Sequence, residues 1–233
     1  MDVDAADLVK WIDMTLTATS FRPPRHFDNA ADWVHDLGDI PLERIIFDPW
    51  PGTATEADLL LLIERDKRLC ELIDGTLVKK PVGLFESLIA VNLIIELGAY
   101  VNRMGLGAVF GPDGTFRLQS SGRIRLPDVS FVSQGRLPTA RIAVPVLAPD
   151  LAIEVLSEGN TEEEINQKFQ ELFQSGTRLA WVIDPASRTV GIYHGPGAPA
   201  MILTEAEKLD GNSVVPGFSM PIAALFRNVP AAP

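Results

Sequence analysis

The sequence contains one cysteine and three histidines, and this scarcity excludes several common kinds of site. Cys70 alone cannot form an internal disulfide or contribute to a cysteine-rich zinc site. His26, His35 and His194 do not have the spacing of metal-binding histidine motifs. Aromatic residues are only 7% of the chain, which is few for stacking sugars against a binding cleft.

Long apolar runs and a basic leader are also missing. No uninterrupted apolar run approaches the ~20 residues of a membrane-spanning helix, because Glu, Asn or Arg interrupts the longest ones. The start carries Asp2, Asp4 and Asp7, whereas a signal peptide starts with basic residues. With 233 residues, 46% of them apolar, the chain can bury one sizeable core. We therefore predict a cytoplasmic protein with no membrane partner.

The net charge of −11 is unevenly distributed along the chain. Residues 1–60 contain four Lys and Arg against twelve Asp and Glu, whereas residues 103–141 contain six arginines and two acids. An acidic chain repels phosphate backbones, which argues against tight non-specific DNA binding. The arginine-rich segment still allows a local basic surface. Arg117, Arg123 and Arg125 either contact backbone phosphates there, or are solvated or paired with acids.

The chain divides into an acidic extension (1–55), a domain (56–227) and a short tail (228–233). In the domain, Thr55 and Asp58 predict a capped helix to about Arg65, and the turn residues Asp74 and Gly75 predict a β-hairpin. A long amphipathic helix is predicted from about 84 to 104. Its buried side is expected to hold the following residues: Leu84, Leu88, Val91, Ile95 and Val101.

Short strands follow in the middle of the chain, at 108–110, 115–118, 128–132 and 150–156. A third helix begins after Asn160, with Thr161 and Glu164 as its capping box, and two more strands cover 179–183 and 189–193. This order predicts a mixed α/β domain in which helices flank a central β-sheet.

Two acids stand in apolar strands, and they are the main candidates for chemistry. Asp128 opens the strand Asp-Val-Ser-Phe-Val, and Glu154 lies inside the strand Ile-Glu-Val-Leu. A buried carboxylate is costly unless it is paired, hydrogen-bonded or bound to a metal. Two on adjacent strands would repel each other, so a shared divalent cation is one explanation and pairing with nearby arginines is the other.

Three more residues strengthen the functional interpretation when they are taken together. Lys168 lies on the flank of the helix after the Glu154 strand, Glu86 opens the long helix, and Glu71 lies in the first hairpin strand. Each also has an ordinary explanation: an i,i+4 pair with Glu164 for Lys168, a favourable dipole charge for Glu86, and a solvated position for Glu71.

In this order the residues resemble the Uma-two family of restriction endonucleases, within the PD-(D/E)XK nuclease superfamily. The resemblance covers about residues 55–227 and rests on a combination of motifs: Cys-Glu-Leu-Ile-Asp-Gly (70–75), Phe-Glu-Ser (85–87), Gly-Pro-Asp-Gly-Thr-Phe-Arg-Leu (111–118), Leu-Pro-Asp-Val-Ser-Phe-Val (126–132), Ala-Pro-Asp-Leu-Ala-Ile-Glu-Val-Leu-Ser (148–157), Arg-Leu-Ala-Trp-Val-Ile-Asp-Pro (178–185) and Val-Pro-Gly-Phe (215–218).

The resemblance implies a restriction-endonuclease-like core, a central mixed β-sheet flanked by helices, in which Asp128 and Glu154 bind Mg²⁺, with Mn²⁺ as a substitute. It also implies that Glu71 and Glu86 border the same site. The superfamily pattern has a lysine two residues after the second acid, where this chain has Leu156. Lys168, on the following helix, matches the lysine position of the family.

The leading hypothesis is a magnesium-dependent endonuclease that hydrolyses phosphodiester bonds of DNA with a metal-activated water. Cutting both strands of a duplex requires two sites, which favours a homodimer. The competing hypothesis is an inactive module that keeps the nuclease fold for contacts with other proteins, which the acidic extension favours. A glycosidase with two carboxylates is a weaker third hypothesis, since aromatic residues are few and Lys168 has no role in that chemistry.

Overall fold

The computed structural model describes residues 27–81 and 83–230. Its four α-helices are α1 (Ala30–Asp36), α2 (Glu56–Asp66), α3 (Leu84–Met104) and α4 (Glu162–Gln174). The strands are, in chain order, β1 (Ile45–Ile46), β2 (Cys70–Ile73), β3 (Thr76–Lys79), β4 (Gly107–Phe110), β5 (Phe116–Arg117), β6 (Ile124–Arg125), β7 (Val129–Ser133), β8 (Leu151–Val155), β9 (Leu179–Asp184), β10 (Thr189–Tyr193), β11 (Met201–Thr204), β12 (Lys208–Asp210) and β13 (Ser219–Pro221).

A six-stranded mixed sheet forms the centre of the domain, with the order β11-β10-β9-β8-β7-β4. Strands β8 and β9 run parallel, and the other neighbours in this sheet run antiparallel. Two adjacent parallel strands need a crossover connection, which α4 supplies here. The predicted mixed α/β fold, a central mixed sheet flanked by helices, is confirmed.

A five-stranded sheet, β1-β3-β2-β6-β5, lies beside the central one. The predicted β2–β3 hairpin is confirmed, and Asp74 and Gly75 both adopt positive φ angles in its turn, as an Asp-Gly turn of this type requires. The chain passes directly from β6 to β7 through residues 126–128, so this short segment joins the two sheets. The candidate site residues described below gather around it.

The bounds of helix α3 agree with the prediction, but the face predicted to be buried is wrong. Leu84 is 80% exposed, and Val91 and Ile95 are also exposed, whereas Leu93 and Leu97 are fully buried against the central sheet. Of the predicted set, Val101 is fully buried and Leu88 is partly buried. By length and composition α3 is the one helix of the described residues that could cross a membrane, a property that core helices of soluble proteins share.

Part of the predicted extension packs against the domain. Leu37, Ile40 and Ile45 are buried, and β1 adds an antiparallel edge to β3. Arg44 forms an ion pair with Glu164 of α4, with 2.6 Å between Nη2 and Oε1. Residues 1–26 of the predicted extension lie outside the described residues.

Candidate active site

Asp128 and Glu154 face each other across the two central strands β7 and β8. The antiparallel register pairs Val129 with Ile153, which places Asp128 directly opposite Glu154 and on the same face of the sheet. The Glu154 side chain is buried, whereas that of Asp128 is 19% exposed. Asp128 Oδ2 accepts a hydrogen bond of 2.8 Å from the backbone N–H of Val155, which fixes this carboxylate at the end of β8.

Lys168 reaches this pair of acids from α4. Its Nζ lies 2.6 Å from Glu154 Oε1 and 2.7 Å from Glu71 Oε1, and it donates a hydrogen bond of 3.3 Å to the carbonyl oxygen of Leu126. The side chain is only 4% exposed, so this is a buried ammonium between two carboxylates.

The ordinary explanation for Lys168, a pair with Glu164 on the same helix, does not hold. Glu164 instead accepts hydrogen bonds from Arg44 and from the side chain of Asn160. The predicted capping box is accordingly half formed. Thr161 accepts a hydrogen bond from the backbone of Glu164, whereas the Glu164 carboxylate is engaged with Arg44.

Glu71 lies on β2 and connects Lys168 to a buried arginine. Glu71 Oε1 accepts a hydrogen bond of 2.9 Å from the N–H of Leu126, and Oε2 accepts one of 2.9 Å from Arg125 Nη1. Arg125 also donates two hydrogen bonds of 2.9 Å to Glu171 of α4. The solvated position considered for Glu71 is therefore wrong, since this residue is 3% exposed.

The arginines considered for phosphate contact are paired with acids instead. Arg123 donates to Asp74 and to Glu171, Arg125 is 1% exposed, and Arg117 pairs with Glu56. Each of these three guanidinium groups therefore already has an acidic partner within the protein.

Lys80 also lies in this cluster, although its sequence position does not mark it as a site residue. Its Nζ lies 2.7 Å from Asp128 Oδ1 and also donates a hydrogen bond to the carbonyl oxygen of Leu126. The pair Lys79-Lys80 at the end of β3 could have indicated a buried lysine. Adjacent strand residues point to opposite faces of a sheet, so one of the two has to point inward.

Glu86, the remaining predicted site residue, lines the same cavity without joining the ionic cluster. Among the described residues it forms no ion pair. Its carboxylate folds back over Gly83, where an added Cβ would collide with Glu86 Oε2. The structure thus brings Asp128, Glu154, Lys168 and Glu71 together and places Glu86 at the cavity wall.

Burial and neighbouring charge set the protonation of the cluster. Burial, together with the negative charge of Asp128, raises the pKa of Glu154 to about 7 despite the opposing effect of Lys168. Burial also opposes the charged forms of Glu71 and Lys168, but their partners outweigh it. The pKa of Glu71 is held well below its usual range, and that of Lys168 is raised above it. Lys168 is therefore a protonated donor at neutral pH.

The donor set fits a hard divalent cation with few protein ligands. Asp128 and Glu154 offer carboxylate oxygens, which Mg²⁺ prefers, and this cation is commonly held by one or two carboxylates while it retains water. Within the described part of the chain, no group of three acidic, histidine or cysteine residues has metal-site geometry, so water would complete the ligand shell of a cation held by these two carboxylates. A cavity of about 190 Å³ borders both carboxylates and leaves room for water and a phosphate.

A solved structure shares this fold. The chain superposes on the crystal structure of a putative nuclease belonging to DUF820 from Anabaena variabilis with a TM-score of 0.61 and 21% sequence identity. The match covers 68% of this chain and 89% of that one, and at this identity it establishes the fold. No curated protein matches the chain. The family model described as Uma2, putative restriction endonuclease, matches residues 56–223. The chain therefore belongs to the Uma2 family.

Proposed function

We propose that this chain is a magnesium-dependent endonuclease that hydrolyses phosphodiester bonds of DNA. The observation that supports it most directly is the position of Lys168, whose Nζ lies 2.6 Å from Glu154 at the wall of a cavity that Asp128 also lines. The Uma2 family match is consistent with nuclease chemistry.

Asp128 and Glu154 would hold the cation, with Mn²⁺ as a substitute for Mg²⁺. A bound divalent cation lowers the pKa of its water ligand and stabilises negative charge on the phosphate. The two carboxylates come from neighbouring strands of the central sheet, so their separation is set by rigid elements rather than by loops.

Lys168 acts as a fixed positive charge and hydrogen-bond donor. Since its pKa is raised, it does not accept a proton from the attacking water at neutral pH. Its ammonium instead orients that water or stabilises the charge that develops on the phosphate. Glu71 holds the ammonium in place through the 2.7 Å contact, and Glu86, at the cavity wall, remains a second-rank candidate for orienting water.

Cleavage of supercoiled plasmid and of single-stranded DNA with Mg²⁺ or Mn²⁺ tests the proposal. Glu154→Gln and Lys168→Met should each lower the cleavage rate by at least about a hundredfold, as expected for groups at the reacting centre. Glu96→Gln is the matched control, because Glu96 is an exposed acid on α3 that pairs with Arg227. Wild-type rates in Glu154→Gln would contradict the mechanism.

The alternative is a nuclease-fold module that binds other proteins without catalysis. The exposed apolar residues of α3, Leu84, Val91 and Ile95, are the specific observation that favours it. Absence of cleavage and of cation binding in the folded protein would support this alternative. The homodimer remains a prediction that light scattering can test.

A further inference from the structure

Two buried lysines neutralise the two central acids, one lysine for each acid. Lys168 contacts Glu154, and Lys80 contacts Asp128 at 2.7 Å. Both ammonium groups also share the carbonyl oxygen of Leu126 as an acceptor. The carboxylates that would bind a cation are thus already paired with cationic side chains in the protein alone.

The two lysines differ in the carboxylate partners that each would retain if its acid bound a cation. Lys168 has a second carboxylate, Glu71, at 2.7 Å. Within the described residues, Asp128 is the one carboxylate that pairs with Lys80. The Lys80 side chain is 6% exposed, so only water in the cavity that it lines could replace this partner.

We infer that Lys80 is the internal counter-ion of Asp128 and competes directly with a divalent cation for this carboxylate. In the protein alone, Lys80 keeps Asp128 paired and offsets part of the repulsion between the two neighbouring acids. When Asp128 is taken by a cation, Lys80 loses its carboxylate, keeps the Leu126 carbonyl, and leaves its remaining donors free toward the cavity. This inference rests on the proposed function, because it assigns Asp128 as a cation ligand.

Lys79 provides a matched control for the charge of Lys80. It is the adjacent residue, and its Nζ donates a hydrogen bond of 3.2 Å to the carbonyl oxygen of Glu43, on the other side of the strand. Lys79→Met removes the same formal charge without touching Asp128. Lys80→Arg keeps a cation beside Asp128, whereas Lys80→Met keeps most of the apolar side chain and removes the competitor.

Isothermal titration of the full chain with Mn²⁺ alone tests the inference. Lys80→Met should bind Mn²⁺ about tenfold more tightly than the wild type, a modest share of the interaction between unit charges a few Å apart. Lys79→Met and Lys80→Arg should stay within about twofold of the wild type. Circular dichroism melting with and without Mn²⁺ confirms that each variant is folded, and the cation should raise the Tm of Lys80→Met more than that of the wild type.

The outcomes separate this inference from the proposed function. If the wild type binds Mn²⁺ and Lys80→Met binds it equally or more weakly, the competition is refuted while the endonuclease proposal stands. If Lys79→Met tightens binding as much as Lys80→Met, the effect is long-range charge and the direct competition is refuted. If neither the wild type nor Lys80→Met binds Mn²⁺, both proposals fail.

Discussion

Glu71 and Lys168 form an ion pair across the junction between the two sheets, with 2.7 Å between Oε1 and Nζ. Glu71 belongs to the hairpin of the five-stranded sheet, and Lys168 belongs to the helix that connects two strands of the central sheet. The ammonium beside Glu154 is therefore held by a part of the fold that does not carry Glu154 itself.

Glu71→Gln should reduce cleavage without removing either proposed cation ligand. The amide keeps an acceptor for the Leu126 N–H but loses the charge that holds Lys168, so a fall of about 10- to 100-fold is expected, as for other residues that orient a site. The unfolding free energy should drop by about 2–3 kcal/mol, because Lys168 and Arg125 each lose a buried charged partner. Cleavage kinetics and urea denaturation measure the two effects. Glu64→Gln, an exposed acid on α2, should change neither.

The Arg44–Glu164 pair should anchor the segment before α2 to the rest of the domain. Both side chains are nearly buried, at 10% and 6% exposure, and Arg44 also donates to the carbonyl oxygens of Lys79 and Gly159. Arg44→Met should lower the unfolding free energy by about 3 kcal/mol, since it leaves a buried carboxylate without its cation. A double-mutant cycle with Glu164→Gln, measured in urea at pH 7, should give a coupling above about 1 kcal/mol. Additive effects would show that the pair does not connect these segments.

Asp150 should make stability depend on pH in the acid range. Burial opposes its ionisation, but the Ser133 N–H at 2.8 Å and the guanidinium group of Arg136 hold the pKa of Asp150 below its ordinary value. A carboxylate whose pKa is lower in the folded state contributes its full stabilisation of the fold above its unfolded pKa of about 3.9. This contribution is lost as the pH falls through that value toward the folded pKa.

Asp150→Asn tests this linkage. The variant should be less stable than the wild type at pH 7, and the difference in unfolding free energy should shrink as the pH is lowered from about 5 to 2. Urea midpoints over this range measure the difference. A difference that is constant over the whole range would mean that the Asp150 charge contributes nothing to folding.

Two substitutions on α3 test which of its faces is buried. Leu93→Ala should cost about 3 kcal/mol of unfolding free energy, because Leu93 is fully buried against the central sheet and its truncation leaves a cavity. Ile95→Ala should cost less than about 0.5 kcal/mol, since Ile95 is 60% exposed. Thermal and urea unfolding compare the two. Equal costs would indicate that both faces of the helix are covered.

Local signals predicted most of the fold. The Asp74-Gly75 turn and the caps at Thr55 and Thr161 fix the ends of elements within a few residues, and the structure places those ends where the signals are. The buried face of α3 could not be predicted in the same way. This helix carries apolar residues on nearly every side, so its periodicity does not distinguish the stripe of Leu84, Val91 and Ile95 from the one that packs.

The candidate site was predicted only in part, because some of its residues carry a local sequence signal and others do not. Asp128, Glu154 and Lys168 are recognisable because charges are unusual in apolar strands or beside an apolar helical stripe. Lys80 was missed because lysines at strand ends are usually on the surface, and only the tertiary contact with Asp128 shows that this one is buried. Their catalytic roles remain predictions.

Because residues 126–128 join the two sheets, the geometry of the site depends on how the sheets pack against each other. The hairpin contributes Glu71 and Lys80, whereas the central sheet and α4 contribute Asp128, Glu154 and Lys168. If the hairpin moved away from the crossing, Asp128 would lose its lysine and Lys168 would lose one of its two carboxylates. The ion pairs of the site therefore form only where the hairpin packs against the central sheet, so the docking of the two sheets and the assembly of the site are coupled.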